Sequence, residues 1–116
     1  MTPKSKPLHR VSLPTQSEVE DQLVVMLNLL KGPVEPVELY GPLADHFELT
    51  ALQRQAFMEN TEENAWRNRV RQARRHLVNV GFLNNARRGF WMLTAKGRER
   101  AAYLEMLRSL TLDDLL

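Results

Sequence analysis

The sequence predicts a mainly α fold with one small β-hairpin, built as a single domain. Three observations lead there. At 116 residues the chain suits one hydrophobic core. Apolar residues recur at helical spacing in several separate stretches. One pair of short strand-like runs, Phe82-Leu83-Asn84 and Phe90-Trp91-Met92-Leu93, brackets a glycine-containing loop. In chain order this gives helix, helix, basic helix, hairpin with a basic tip, and closing helix. That is the order of a winged helix-turn-helix.

Residues 1–16 are expected to form a flexible basic arm. Pro3, Pro7 and Pro14 break any helix there, and Lys4, Lys6 and Arg10 favour solvent. Residues 17–100 are expected to form the winged-helix domain. Its first helix is predicted over Ser17 to Lys31, with Ser17 and Glu20 as a capping box. Val19, Leu23, Met26, Leu27 and Leu30 make its inner stripe, and Gly32-Pro33 stops it. Next comes a short extended piece at Val34 to Val37. The helix after it is either kinked or begins late, with Pro42 as a first helical residue. Thr50 and Gln53 fit a second capping box, opening a short helix through Met58.

The third long helix, about Glu62 to Val80, is the informative one. At roughly 100° per residue, Trp66, Val70, Ala73, Leu77 and Val80 share one face within about 40°. Arg67, Arg71, Arg74 and Arg75 lie side by side on the neighbouring flank, with Asn68 and Asn79 just beyond, while Arg69 points to the opposite side. Gly81 is placed to end this helix in a left-handed conformation. Arg87 and Arg88 sit at the hairpin tip, and Thr94 caps the closing helix through about Arg108. Leu104, Leu107 and Leu110 are expected on its inner side. Residues 101–116 form the end of this helix and an apolar tail, which fits either packing on the first helix or contact with a second copy of the chain.

Charge is segregated along the chain. Residues 17–63 hold ten acids against two bases, whereas residues 66–100 hold ten bases against Glu99 alone. Twelve of the sixteen bases are arginine, whose planar fork suits phosphate and guanine edges. A helix that gathers four arginines and neighbouring asparagines on one exposed flank has the composition of a groove-entering helix. The plain alternative is that these arginines pair with the acids of the first half. The candidate nucleic-acid contacts are Arg67, Asn68, Arg71, Arg74, Arg75, Arg87, Arg88, Lys96 and Arg98.

Several motifs converge on one family. Asn68-Arg69-Val70, Ala73-Arg74, Leu77, Gly81-Phe82-Leu83, Arg87-Arg88-Gly89 and Leu93-Thr94-Ala95-Lys96-Gly97 resemble the N-terminal domain of Mrr-type restriction proteins. Upstream, Leu43-Ala44-Asp45-His46-Phe47 with Leu49-Thr50 resembles that family's second helix and the insertion after it. The match covers roughly residues 17 to 98. It implies a winged-helix module that recognises double-stranded DNA, usually fused to a downstream nuclease. Two positions depart from the pattern: Gln72 stands where the family commonly has tryptophan, and Gly41-Pro42 interrupts a normally continuous helix. Nucleases of this class, as the resemblance implies, use an acid two residues before a lysine. Here the lysines are preceded at that position by Thr2, Lys4, Leu29 and Thr94, so this chain is expected not to cut DNA by itself.

Other chemistry finds little footing. Cysteine is absent, which removes thiolate metal sites and cysteine nucleophiles. His9, His46 and His76 have no ligand spacing. There is no Gly-rich phosphate loop, so no cofactor, metal or small-molecule ligand is expected. Asp113-Asp114 fit a solvated end. No signal peptide or membrane span is expected, and the location is expected to be cytoplasmic. The sequence thus predicts a non-enzymatic binder of double-stranded DNA. Alternatives are a protein-interaction adaptor, docking for instance a separate nuclease subunit, and a small transcriptional repressor.

Overall fold

The structure, a computed structural model, describes residues 12–59, 61–85 and 88–115. Among these residues five helices and one hairpin follow one another: α1 (Gln16–Leu30), α2 (Val37–His46), α3 (Ala51–Gln55), α4 (Ala65–Asn79), β1 (Leu83–Asn84), β2 (Met92–Leu93) and α5 (Ala95–Leu115). The mainly helical fold with a small antiparallel hairpin is as the sequence predicts, and the arrangement is consistent with a winged helix.

Helix α1 is the central strut, packed on α4 along one side and α5 along another. Its start is a correction. The capping box is Thr15 with Glu18, two residues before the expected Ser17 and Glu20. The Glu18 amide donates to Thr15 Oγ1 at 3.2 Å and the Thr15 amide donates to Glu18 Oε1 at 3.1 Å. Both pairs have the same spacing, but Glu20 is engaged elsewhere, its carboxylate 2.7 Å from His76 Nδ1 on α4. Val19, Leu23, Val24 and Leu27 are buried, each contributing about 1.5–3 kcal/mol against the exposed state. Leu30, expected in this stripe, is exposed. It borders an open apolar groove with Leu29, Val34 and Pro42, because the chain leaves at Lys31 and Gly32 before another element covers it.

Val34 is extended, as expected, and bridges antiparallel to Trp91 through two backbone hydrogen bonds of 2.9 and 2.8 Å. Helix α2 then begins at Val37, not near Pro42. Pro42 is its sixth residue, so its missing N–H forfeits a single ladder bond, to Glu38, one turn from the start. The two ends of α3 behave differently. Its Thr50–Gln53 capping box forms as predicted. The helix stops at Gln55, short of Met58, because Ala56 turns extended and Phe57 bridges to Asn64. Asn64 in turn caps α4, accepting from the Arg67 amide at 2.9 Å, so α4 starts three residues later than expected.

The predicted inner face of α4 is buried at Trp66, Val70, Ala73 and Leu77. Gly81 takes a φ of +86° directly after it, the left-handed conformation glycine tolerates best. The hairpin pairs Leu83 with Leu93 and Asn84 with Met92. Thr94 joins hairpin to helix: its hydroxyl donates to the Gly81 carbonyl at 2.6 Å and accepts from the Gly97 amide at 3.0 Å. Gly97 packs so closely on Phe82 that any side chain would collide with the Phe82 carbonyl oxygen.

Helix α5 extends to Leu115, well past the expected Arg108. Ala101 is fully buried and Leu104 packs on the core. Leu107 and Leu110, expected on the inner side, are 40% and 53% exposed, since they face away from α1. Of the expected arm, residues 1–11 lie outside the described residues, while 12–15 are fastened to the body. Gln53 Nε2 donates to the Ser12 carbonyl, Arg69 donates to the Pro14 carbonyl, and Leu13 joins the core.

Candidate nucleic-acid interface

A polar groove of about 510 Å³ runs between α4 and the hairpin. Its α4 wall carries Arg71, Arg74 and Arg75, and its hairpin wall carries Asn85, Arg88 and Gly89. Pro36, Tyr40 and Trp91 line it from below. This follows from the 3.6-residue repeat. Burying Trp66, Val70, Ala73 and Leu77 against α1 leaves residues 67, 71, 74 and 75 on the flank that meets the hairpin.

The aromatic floor organises the guanidiniums. Tyr40 and Trp91 meet edge to face, ring centres 6.5 Å apart. The Arg74 guanidinium carbon lies 5.9 Å from the Trp91 ring centre, and that of Arg67 lies 5.2 Å from Tyr40. Such contacts hold a cation by its attraction to the ring face while leaving its N–H groups unspent. Arg74 Nε is shielded from solvent and has no hydrogen-bond partner. Arg74 itself lines the groove, with that buried N–H left unpaired behind its outer guanidinium nitrogens.

Carboxylates barely reach this surface. Arg71 pairs with Glu63, and both are about 40% exposed, where an ion pair contributes roughly 0–1 kcal/mol. Among the described residues, neither Arg67, Arg75 nor Arg88 has an ion-pair partner. The other ion pairs among the described residues lie elsewhere: Arg54 with Asp45, Arg100 with Asp21, and His76 with Glu20.

The structure therefore brings together Arg71, Arg74, Arg75 and Arg88, with Arg67 adjoining through Tyr40. Asn68 is half-buried and does not line the groove. Lys96 is turned to the end of α4, where its Nζ donates to the Val80 carbonyl at 2.9 Å beside the Phe82 ring. Arg98 borders a separate hollow with Leu27, Asn28 and Met92. Arg87 lies outside the described residues. Tyr40, Asn85 and Trp91 were not expected at the site. Tyr40 follows a core leucine and Trp91 sits in a strand-like apolar run, so both read as core. The one available signal was an aromatic close behind the basic hairpin tip.

A mainly helical body, a two-stranded hairpin and a basic cleft between them fit the winged-helix class. The chain belongs to the Mrr N-terminal domain family, whose model matches residues 17–102, and this ties it to Mrr-type restriction proteins. No significant match is found among curated proteins or among solved structures. Among the described residues, no helix is long and apolar enough to cross a membrane.

Proposed function

We propose that the chain is a double-stranded DNA-binding module of the cytoplasm that works without nuclease activity or a cofactor of its own. The observation that carries this reading is the convergence of Arg71, Arg74, Arg75 and Arg88 from two elements on one open cleft. Helix α4 would enter the major groove. The phosphate strand bordering that groove would then run through the cleft toward the hairpin. Arg88 makes a sequence-independent phosphate contact, while Arg71 and Arg75 sit where a bidentate fork can reach guanine edges. Arg74, held over Trp91, would turn the outer N–H groups of its guanidinium to a phosphate oxygen.

Titration with duplex DNA at increasing salt tests the proposal. Neutralising about five phosphates gives a slope of log affinity on log salt near −4 to −5. A slope near zero would remove the reading. The same contacts serve a repressor or a restriction-associated module, which differ in whether one defined operator is preferred. The adaptor reading is favoured by a different surface, the exposed apolar side of α5.

A further inference from the structure

Among the described residues, Arg71 is the one arginine of the cleft that meets a carboxylate, that of Glu63. The segment carrying that carboxylate is well fastened. Phe57 bridges antiparallel to Asn64, and the Ala65 amide donates to the Ala56 carbonyl at 2.8 Å. Glu63 is held at both of its backbone groups. Its amide donates to Thr61 Oγ1 at 3.0 Å, and its carbonyl accepts from the Met58 amide at 2.8 Å. Asn64, next to it, donates from Nδ2 to the Arg54 carbonyl at 2.8 Å. Glu63 thus stands just before the start of α4, the end of a recognition helix whose residues meet base edges.

Direction and charge separate Arg71 from its neighbours. At about 100° per residue, Arg71 and Arg75 stand roughly 140° and 180° round from Trp66, the most outward of the cleft arginines on α4. Arg75 keeps its full charge and serves a phosphate or a base. Arg71 and Glu63 together are neutral. A phosphate approaching that couple is attracted by one member and repelled by the other, and it releases few counterions. A guanine edge is different. Its O6 and N7 are two acceptors without net charge, and they match the donors that the carboxylate leaves open on the planar guanidinium. The couple therefore loses much of its attraction for the backbone and keeps its fit to the base. Both groups are about 40% exposed, so water screens the pair and the bias is a small factor.

We propose that Glu63 is a specificity-determining residue: it withholds Arg71 from phosphates and leaves it to read guanine in the major groove. This rests on the DNA-binding reading and narrows it. Backbone contacts fall to Arg74, Arg88 and their uncancelled neighbours, while one acid–base couple at the start of α4 carries the preference. A repulsive element aimed at the wrong contact sharpens selection while lowering total affinity.

Two measurements on the full chain test it. Wild type, R71A, R88A and E63Q are each titrated with duplex DNA at several salt concentrations, and each is used to select duplexes from a randomised pool. The wild-type chain should select guanine at one fixed position, and adenine placed there should weaken binding about tenfold. R71A should lose that preference with a salt slope unchanged to within about 0.3, whereas R88A should keep the preference and lower the slope by about 1. E63Q should bind the adenine-substituted duplex about two- to fivefold tighter and the guanine duplex with less change, so discrimination narrows by a similar factor. Melting midpoints should stay in place, since all three altered side chains are exposed. A wild-type slope near zero removes the DNA-binding reading and this inference with it. With a steep slope present, three results overturn the inference alone: a wild type without a guanine preference, an R71A variant that keeps it and lowers the slope by about 1, or an E63Q variant that discriminates as well as wild type.

Discussion

The arginines around the cleft and those away from it put one residue type to two uses. Arg54 and Arg100 meet carboxylates, at 2.8 Å on Asp45 and 3.3 Å on Asp21, and tie helices or loops together. On α4 itself Arg69 is similarly occupied, holding the Pro14 carbonyl. One flank round, Arg67 and Arg74 rest on aromatic rings, and neither Arg75 beside them nor Arg88 on the facing hairpin has a carboxylate partner among the described residues. Composition cannot distinguish these groups. What differs is the oxygen opposite the guanidinium. Arg54, Arg69 and Arg100 each meet a carboxylate or carbonyl, Arg100 beside the Tyr103 ring as well, whereas Arg67, Arg74, Arg75 and Arg88 meet only π-faces and solvent among the described residues. A guanidinium kept in place without its charge being cancelled is equipped to meet an outside anion.

The most direct way to break this contrast is to exchange the two groups' fates. R74A/R75A should lower affinity for duplex DNA by about a hundredfold at low salt, reduce the salt slope by about 2, and leave the melting midpoint nearly unchanged. R54A should do the reverse. It loses bonds to the Leu49 carbonyl and Asp45 and costs about 1 kcal/mol in chemical denaturation, with DNA affinity intact. Gel-shift titrations paired with urea melts read both quantities, and matching profiles for the two variants would erase the distinction.

Arg71 straddles the divide, since its one carboxylate partner is half-exposed. E63Q should free it and raise DNA affinity by about two- to fivefold, a change that shrinks as salt rises. Lower affinity in that variant would mean that Glu63 positions Arg71 rather than competing for it.

The smallest effect concerns the acidic end of α1. Hydrogen bonds from the Thr15 backbone and hydroxyl hold the Glu18 carboxyl below the usual carboxylate range. A depressed folded-state value means the cap stabilises above the unfolded-state value and is lost as pH falls through the folded one. Amide chemical shifts near the start of α1 should therefore titrate below an ordinary glutamate's midpoint. T15A, which removes the hydroxyl bond but keeps the larger backbone one, should move that midpoint only part of the way up, and loss of the cap should cost about 1 kcal/mol.

Much of the architecture could be read from spacing because it depends on neighbours in sequence. The inner face of α4, the Thr50–Gln53 cap, the turn at Gly81 and the hairpin all follow from local pattern. Misreadings arose where a distant partner decided. Two capping boxes overlap at the start of α1, and Glu20 is drawn out of the second by Gln16 Nε2 at 2.8 Å and by His76 Nδ1, 56 residues away, at 2.7 Å. Pro42 looked like a helix start because proline favours that position, yet α2 tolerates it six residues in. Leu107 and Leu110 follow the closing helix's repeat but lie on the side α1 does not cover. At the site, the flank of four arginines was visible from residue angles. The floor of Tyr40 and Trp91 was not, because it depends on Val34 pairing with Trp91 across the molecule.

Trp91 lends the cleft an optical property of its own. Its indole lies under the Arg74 guanidinium at the base of the groove. An anion drawing that cation upward changes the field at the ring, shifting the emission of an unlabelled chain. Trp66, the other tryptophan, is deep in the core with its N–H on the Tyr40 carbonyl at 2.9 Å. One indole faces the visitor while its companion supplies a steady background.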